Sequence, residues 1–189
     1  MNGVALPQFS GILRATIERC LCALLLCFAV ANPTAIANTP GEVPIGGTLG
    51  DATLQGLNGV SRKLSAFRGK PLIINVWASW CGPCREEMAS LERLAWRDGM
   101  QYFAIIGIST DDDADQAKVM LKNANATISH FLDAGQQMEN MLGASRIPLT
   151  VLINADGRIL RKIYGAKQWD GADSLRLIDE AFRNGTRSQ

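Results

Sequence analysis

The chain has 189 residues, and its 19 Lys and Arg nearly balance its 18 Asp and Glu, which leaves a formal net charge of +1. This balance provides no electrostatic basis for binding nucleic acid or an anionic membrane surface. The length suits one domain with an adequate core, and the sequence contains no internal repeat.

Residues 1–37 have the pattern of an export signal. Two arginines precede the apolar run 20–31, and small residues at 35–37 offer a cleavage site. The alternative is an uncleaved anchor, although the apolar run is shorter than the ~20 residues that a spanning helix needs. Cleavage would leave Cys81 and Cys84 as the only thiols, and export would place them in an oxidising compartment.

Two expected features precede the centre of the chain. Residues 38–50 are rich in Gly, Pro and Thr, which predicts a flexible leader. Residues 51–64 carry alternating apolar positions around Asn58-Gly59, a strong hairpin signal. One turn of helix is expected over residues 64–68.

The central stretch joins an apolar run to a pair of cysteines. Residues 72–77 are apolar apart from Asn75, which predicts a strand covered on both faces. Cys81-Gly82-Pro83-Cys84 and a predicted helix to Arg97 follow. Cys81 would then lie at the helix start, where unpaired N–H groups and the helix dipole stabilise a thiolate. We therefore expect Cys81 to be the attacking thiol and Cys84 the resolving one.

Further strands and helices alternate in the second half. Strands are predicted at 102–108, 129–132, 149–153 and 158–164, with helices at 114–124, 136–142 and from the 170–173 region to Phe182. A strand, a helix and a strand form the crossover unit of a parallel sheet. Asp170 or Asp173 is expected to cap the last helix. The domain is predicted to span 51–184, with a frayed tail at 185–189.

Two groups of residues allow a metal hypothesis. A zinc site requires about four nitrogen or sulfur ligands, whereas the exported chain offers only Cys81, Cys84 and the distant His130. A structural disulfide is another possibility, but so short a loop constrains the unfolded chain little. His130 is expected to have a structural or surface role. Acidic residues at 111–115 favour helix capping over metal binding, because no loop of calcium-binding spacing follows.

The motif Trp80-Cys81-Gly82-Pro83-Cys84 resembles that of thioredoxins. The wider pattern, Gly69-Lys70-Pro71, Asn75 to Trp80 and Arg85 to Met88, resembles the TlpA-like (ResA/DsbE-type) periplasmic thiol-disulfide oxidoreductases. The resemblance covers Gly46 to the C-terminal helix. It implies an α/β thioredoxin-like fold, with a central mixed sheet, helices on both faces and an N-terminal hairpin extension.

The resemblance also implies roles for several residues. Pro148 matches the cis proline that faces the cysteine pair, and a cis bond would expose the backbone of Ile147 to an extended segment of a partner. Trp80, Gly82 and Pro83 are expected to complete this substrate surface.

The proton acceptor is expected to differ from that of thioredoxins proper, which carry a buried aspartate where this chain has Asn75. In TlpA-like proteins a glutamate after the cysteine pair often takes the acid role, and Glu87 matches it. If Glu87 is buried, desolvation would raise its pKa and let it take the proton of Cys84. The alternative is a solvated carboxylate like Glu86.

The expected function is that of a periplasmic protein-disulfide reductase that needs no cofactor or metal. By resemblance, a membrane thiol-disulfide electron donor of the DsbD/CcdA kind would re-reduce the pair, and cytochrome c maturation, copper-site assembly or antioxidant thiol repair would use it. The alternatives are a disulfide-donating oxidant and a copper or apocytochrome chaperone that uses the same dithiol. A peroxiredoxin-type peroxidase lacks support, since residues 77–80 do not carry its threonine and proline pattern.

Overall fold

The structure is a computed structural model that describes residues 39–97 and 102–187. The described fold belongs to the compact unit Asn38–Gln189. The export signal predicted at 1–37 lies outside the described residues.

The described elements follow the expected order along the chain. The strands are β1 (Thr53–Gly56), β2 (Arg62–Lys63), β3 (Leu72–Trp77), β4 (Ala104–Ser109), β5 (Ser129–Leu132), β6 (Leu149–Ile153) and β7 (Ile159–Tyr164). The helices are α1 (Gly82–Ala95), α2 (Ala114–Asn123), α3 (Gln137–Leu142) and α4 (Ala172–Arg187), and a 3-10 turn covers Leu64–Phe67.

In the described part of the chain, these strands form one mixed sheet in the order β2-β1-β5-β4-β3-β6-β7. The pairs β3–β4 and β4–β5 are parallel, whereas β6 is antiparallel to both β3 and β7. Every residue of β3 is buried, which explains its nearly unbroken apolar sequence. The predicted mixed sheet is confirmed.

Helices cover both faces of this sheet. Ile73 of β3 packs in one cluster with Leu91 of α1 and Ile178 of α4. Ile74 points to the opposite face, since side chains alternate along a strand, and it shares a cluster with Met138 of α3. Asn75 and Trp77 therefore lie on the face that carries α1, and this places them beside the cysteine pair.

Residues 39–50 are largely exposed, but long-range backbone hydrogen bonds attach them to the folded domain, which differs from the predicted flexible leader. Val43 N–H donates to the Met141 carbonyl at 2.9 Å, and Gly46 N–H donates to the Ile159 carbonyl at 2.8 Å. Leu49 is buried in the cluster that contains Ile74 and Met138, on the face of the sheet opposite α1. Composition indicates a loop correctly, but it carries no signal for these long-range hydrogen bonds.

The N-terminal hairpin is present, although its turn differs from the expected one. β1 pairs antiparallel with β2, Leu54 opposite Arg62. Neither Asn58 nor Gly59 has the positive φ of a two-residue hairpin turn. The side chain of Asn58 instead donates to the Ile128 carbonyl at 2.8 Å and accepts from His130 N–H at 2.9 Å. Asn58 thus ties the loop to the sheet.

The C-terminal helix is longer than predicted. It continues to Arg187, so residues 185–187 of the predicted frayed tail are helical. The Phe182 ring packs 5.7 Å from that of Phe103, measured between centroids. Neither proposed cap is at the expected place: Asp170 pairs with Arg93 at 2.6 Å, and Asp173 lies inside the helix.

Candidate active site

The two cysteines lie where β3 gives way to α1. Cys81 is the N-cap of α1, and its Sγ accepts a hydrogen bond from Cys84 N–H at 3.2 Å. The two residues form a disulfide, with their Cα atoms 5.3 Å apart. Cys81 is 5% exposed and Cys84 is fully buried. Cys81 therefore holds the sulfur that a partner can reach, and the helix N-terminus stabilises its thiolate.

The remaining residues of the motif differ in exposure. Pro83 occupies the first turn of α1, where a missing N–H costs no helical hydrogen bond. Trp77 is fully buried in the same cluster as both cysteines. Trp80, in contrast, is 69% exposed. Its exposed indole is available to a partner.

The Ile147-Pro148 peptide bond is cis, as predicted. Pro148 immediately precedes β6, and Leu149 of β6 pairs with Val76 near the end of β3. The cis bond therefore lies at the same end of the sheet as the C-terminal end of β3, from which the chain continues to Cys81. The half-buried side chain of Ile147 packs against the cluster that contains both cysteines.

Glu87 is buried on α1, three residues after Cys84 and hence on the same face of the helix. Its Oε1 accepts from Asn75 Nδ2 at 2.7 Å. Its Oε2 accepts from Trp169 Nε1 at 2.9 Å and from Lys167 N–H at 3.1 Å. Burial raises the pKa of the Glu87 carboxyl above its usual value, and these hydrogen bonds oppose that effect. The alternative of a solvated carboxylate is excluded.

The loop between β7 and α4 holds this region in place, and sequence reasoning missed it. Trp169 is fully buried, and its backbone N–H donates to Ser90 Oγ at 3.0 Å. Ser90 Oγ in turn donates to the Glu87 carbonyl at 2.7 Å. A tryptophan in a Gly- and Asp-rich loop was the available signal, because so large an apolar side chain is seldom left in solvent.

The acidic residues at 111–115 make two separate structural contributions. Asp113 is the N-cap of α2, with its carboxylate accepting from Asp115 N–H at 2.8 Å, which confirms capping. Asp111 is buried and accepts from the backbone N–H and Oγ of Ser79 and from Ser109 Oγ. Asp111 therefore fixes the loop that leads to Cys81.

His130 is buried in the sheet. Its Nδ1 accepts from Trp77 Nε1 at 3.1 Å, and its Nε2 has no hydrogen-bond partner among the described residues. Burial lowers the pKa of His130 to about 3. His130 is thus a neutral structural residue that fixes the indole of Trp77.

A groove of about 640 Å³ opens beside the loop that carries Ser79. Arg85 of α1 and residues of α2 line it, among them Asp115, Val119 and Met120. Within residues 39–97 and 102–187, no helix has the length and apolar content to cross a membrane. The same ranges hold no group of three or more His, Cys, Asp or Glu side chains placed to bind a metal ion.

A family model described as Redoxin matches residues 44–176, which include all of this geometry. This chain belongs to the Redoxin family. The chain is also similar to the thiol-disulfide oxidoreductase ResA of Geobacillus thermodenitrificans, with 29% identity over 145 residues, or 75% of this chain and 83% of ResA. The thiol:disulfide interchange protein HelX of Rhodobacter capsulatus is 36% identical over 98 residues, or 51% of this chain and 53% of HelX.

A solved structure supports the same fold. The thioredoxin domain of a thiol-disulfide oxidoreductase from Bacteroides vulgatus matches with a TM-score of 0.61 at 21% identity, over 73% of this chain and 97% of that domain. This likeness shows the thioredoxin fold. Together with the Redoxin match and the two relatives, it confirms the predicted TlpA-like thiol-disulfide oxidoreductase.

Proposed function

We propose that this Redoxin protein reduces protein disulfides in the periplasm, with Cys81 as attacking thiol and Cys84 as resolving thiol. The observation that carries the proposal is the asymmetry of the pair: Cys81 is the N-cap of α1 and keeps 5% of its surface exposed, whereas Cys84 is fully buried. Gly82-Pro83, the dipeptide of reducing thioredoxins by resemblance, supports the reducing direction over the oxidant.

In the first step, the Cys81 thiolate attacks one sulfur of a substrate disulfide. A bond forms between Cys81 and that sulfur, the substrate disulfide breaks, and its electron pair leaves on the second substrate sulfur. The Cys84 N–H and the free N–H groups of α1 stabilise the Cys81 thiolate before attack.

In the second step, Cys84 resolves the mixed disulfide. Its thiol must lose a proton in a buried site, and Glu87 lies one turn further along the same helical face with a raised pKa. Glu87 accepts the proton, and the Cys84 sulfur attacks Cys81 Sγ. The substrate leaves with two thiols, and the Cys81–Cys84 disulfide remains.

The substrate surface is proposed to surround Cys81. The exposed indole of Trp80 offers an apolar contact, and Gly82 and Pro83 form the short turn beside it. The Ile147 backbone next to Pro148 offers hydrogen bonds to an extended segment of the substrate. The substrates themselves are proposed to be exported polypeptides, with apocytochrome c, copper-site proteins and oxidatively damaged thiol proteins as the classes to test.

Export and re-reduction are further parts of the proposal. The apolar run 20–31 supports export, either with cleavage after Ala37 or as a tether to the inner membrane. A reduced dithiol persists in an oxidising compartment only if electrons are supplied. A membrane thiol-disulfide donor of the DsbD/CcdA kind is therefore the proposed partner.

Insulin reduction by dithiothreitol tests the enzymatic proposal. We expect the wild-type protein to accelerate reduction, Cys81→Ser to return the rate to background, and Cys84→Ser to accumulate a mixed disulfide that non-reducing gels detect. A wild-type protein that leaves the rate at background and binds copper stoichiometrically would contradict the proposal and favour the chaperone alternative.

A further inference from the structure

The two oxygens of the Glu87 carboxyl have different kinds of partner. Oε2 accepts from Trp169 Nε1 and from the backbone N–H of Lys167. Neither an indole N–H nor a backbone N–H can accept a hydrogen bond. A proton on Oε2 would therefore face two donors and displace at least one of the two hydrogen bonds.

Oε1 has the side-chain amide of Asn75 as its partner, with Nδ2 donating at 2.7 Å. The same Nδ2 donates to Thr150 Oγ1 at 3.1 Å. The other end of the amide, Asn75 Oδ1, is buried without a hydrogen-bond partner in the described part of the chain. Burial of an acceptor without a donor is costly, and no hydrogen bond to Oδ1 holds the amide in this orientation.

A half-turn of the Asn75 amide exchanges Oδ1 with Nδ2. Oδ1 would then accept from a protonated Oε1 of Glu87 and from the Thr150 hydroxyl, which can donate as well as accept. One end of the amide lacks a partner in either orientation: Oδ1 in the orientation described and Nδ2 in the reversed one. Of the groups that donate a hydrogen bond to the Glu87 carboxyl in the described part of the chain, the Asn75 amide is the one that can change from donor to acceptor.

We propose that Asn75 is a positioning residue whose amide reverses when Glu87 is protonated, so that the proton is held on Oε1. The inference rests on the proposed role of Glu87. In the balanced step, the proton moves from Cys84 Sγ to Glu87 Oε1 while the Cys84 electron pair forms the bond to Cys81 Sγ. The bond from Cys81 to the substrate sulfur breaks, and its electron pair leaves with the substrate.

None of the groups that donate a hydrogen bond to the Glu87 carboxyl in the described part of the chain carries a charge. Asn75 of β3 and Thr150 of β6 are neutral, and so are the indole of Trp169 and the backbone of Lys167, whose side chain is exposed. On α1 itself, the other titratable group of this buried face is the Cys84 thiol of the reduced protein. The amide therefore responds to one proton.

Nuclear magnetic resonance of the oxidised wild-type protein tests the reversal directly, because the closed disulfide removes thiol titration. Above the pKa of Glu87, we expect nuclear Overhauser contacts between the Asn75 amide protons and the Thr150 side chain. Below that pKa the contacts should be lost. Glu87→Gln should lack them at every pH, because its amide N–H replaces the protonated oxygen.

Glu86→Gln, a change at the exposed neighbouring residue, is the matched control and should keep the wild-type pH dependence. Thr150 contacts that persist through the titration of Glu87 and in Glu87→Gln would overturn the inference. The role of Glu87 in the proposed function is tested separately by the rate at which Cys84 resolves a mixed disulfide formed between Cys81 and a chromogenic thiol. Equal rates in Glu87→Gln and the wild type would contradict the role of Glu87 in proton transfer, whichever way the amide points.

Discussion

The indole Nε1 of Trp169 donates a 2.9 Å hydrogen bond to Oε2 of Glu87, a residue 82 positions earlier in the chain. Both side chains are buried, so the bond joins the β7–α4 loop to the helix that carries the cysteines. The contact opposes the rise in the pKa of Glu87 that burial causes. A residue far from the motif in sequence thus sets the environment of the proposed proton acceptor.

Trp169→Phe removes this donor while keeping an aromatic ring. The pKa of Glu87 should rise further, because the ionised carboxylate loses one of its hydrogen bonds. At neutral pH we expect a loss of about 1.5–3 kcal/mol in the free energy of unfolding, the usual contribution of a hydrogen bond to a charged group. Urea unfolding measures the effect on stability, and the pH profile of the rate at which Cys84 resolves a Cys81 mixed disulfide measures the change in the pKa of Glu87.

Trp96→Phe is the matched control for this prediction. The Trp96 indole is exposed, and its Nε1 donates to the hydroxyl of Thr127 instead of to a buried carboxylate. We expect its unfolding free energy to stay within about 0.5 kcal/mol of the wild type. An unshifted pH profile of the resolving rate in Trp169→Phe would contradict the effect of Trp169 on the pKa of Glu87.

Glu87→Gln should stabilise the protein in a pH-dependent manner. The fold raises the pKa of Glu87 above its usual value of 4.5, so the folded state binds this proton more tightly than the unfolded state. Ionisation of Glu87 therefore costs stability as the pH rises from the unfolded pKa to the folded pKa. Across that window, the free energy of unfolding of Glu87→Gln should increase relative to that of the wild type. The increase should be about 1.4 kcal/mol for each pH unit by which the fold raises the pKa of Glu87.

Urea unfolding of the oxidised proteins at several pH values measures this increase. Glu86→Gln is the control, because Glu86 is an exposed neighbour on the same helix. Its difference from the wild type should stay nearly constant. A constant difference for Glu87→Gln as well would show that Glu87 has no raised pKa.

His130 should make the fold sensitive to acid. Its pKa falls from 6.5 to about 3 on burial, so the folded state resists the proton that the unfolded state accepts. Stability from neutral His130 is complete above the unfolded pKa and is lost as the pH falls towards the folded pKa. His130→Asn keeps an acceptor for Trp77 Nε1 and removes the titration.

We expect His130→Asn to flatten the loss of stability between pH 6.5 and about 3, by about 1.4 kcal/mol for each unit that separates the two pKa values. Thermal or urea unfolding across this range measures the slope. A slope equal to that of the wild type would assign the acid sensitivity to other groups.

Trp80→Ala tests the proposed substrate surface. Trp80 is 69% exposed, so its removal should change the unfolding free energy by no more than about 0.5 kcal/mol. If the indole contacts protein substrates, KM for insulin should rise by about fivefold or more, since an interface tryptophan commonly contributes over 1 kcal/mol. Reduction of a small disulfide should keep its rate.

The equally exposed Trp96, at the other end of α1, supplies the control. Trp96→Ala should leave both KM values unchanged. A similar rise in KM for Trp96→Ala, or no rise for Trp80→Ala, would remove Trp80 from the substrate surface.

Local sequence signals predicted much of the fold and the reactive pair. The apolar run of β3, the helix-start position of Cys81 and the proline before β6 each depend on neighbouring residues, and all were found where expected. The resemblance to TlpA-like proteins pointed to Glu87 but left its burial open, and the structure shows it buried with a hydrogen bond from Asn75.

The partners of Glu87 were beyond such reasoning. Trp169 and Lys167 reach Glu87 only through the tertiary fold, and the Ser90 hydroxyl that joins them belongs to an ordinary helical sequence. Asn58 was misassigned for the same reason, because its turn propensity gave no sign of the bonds it makes to β5. Long-range hydrogen bonds leave no periodicity in the sequence.

The equilibrium reduction potential of the Cys81–Cys84 pair against glutathione tests the central claim most directly, with Cys81→Ser as the control. A dedicated reductase should give a value near that of thioredoxin, about −270 mV. A value near that of a strong oxidant such as DsbA, about −120 mV, would contradict the reducing role and make this protein a disulfide donor.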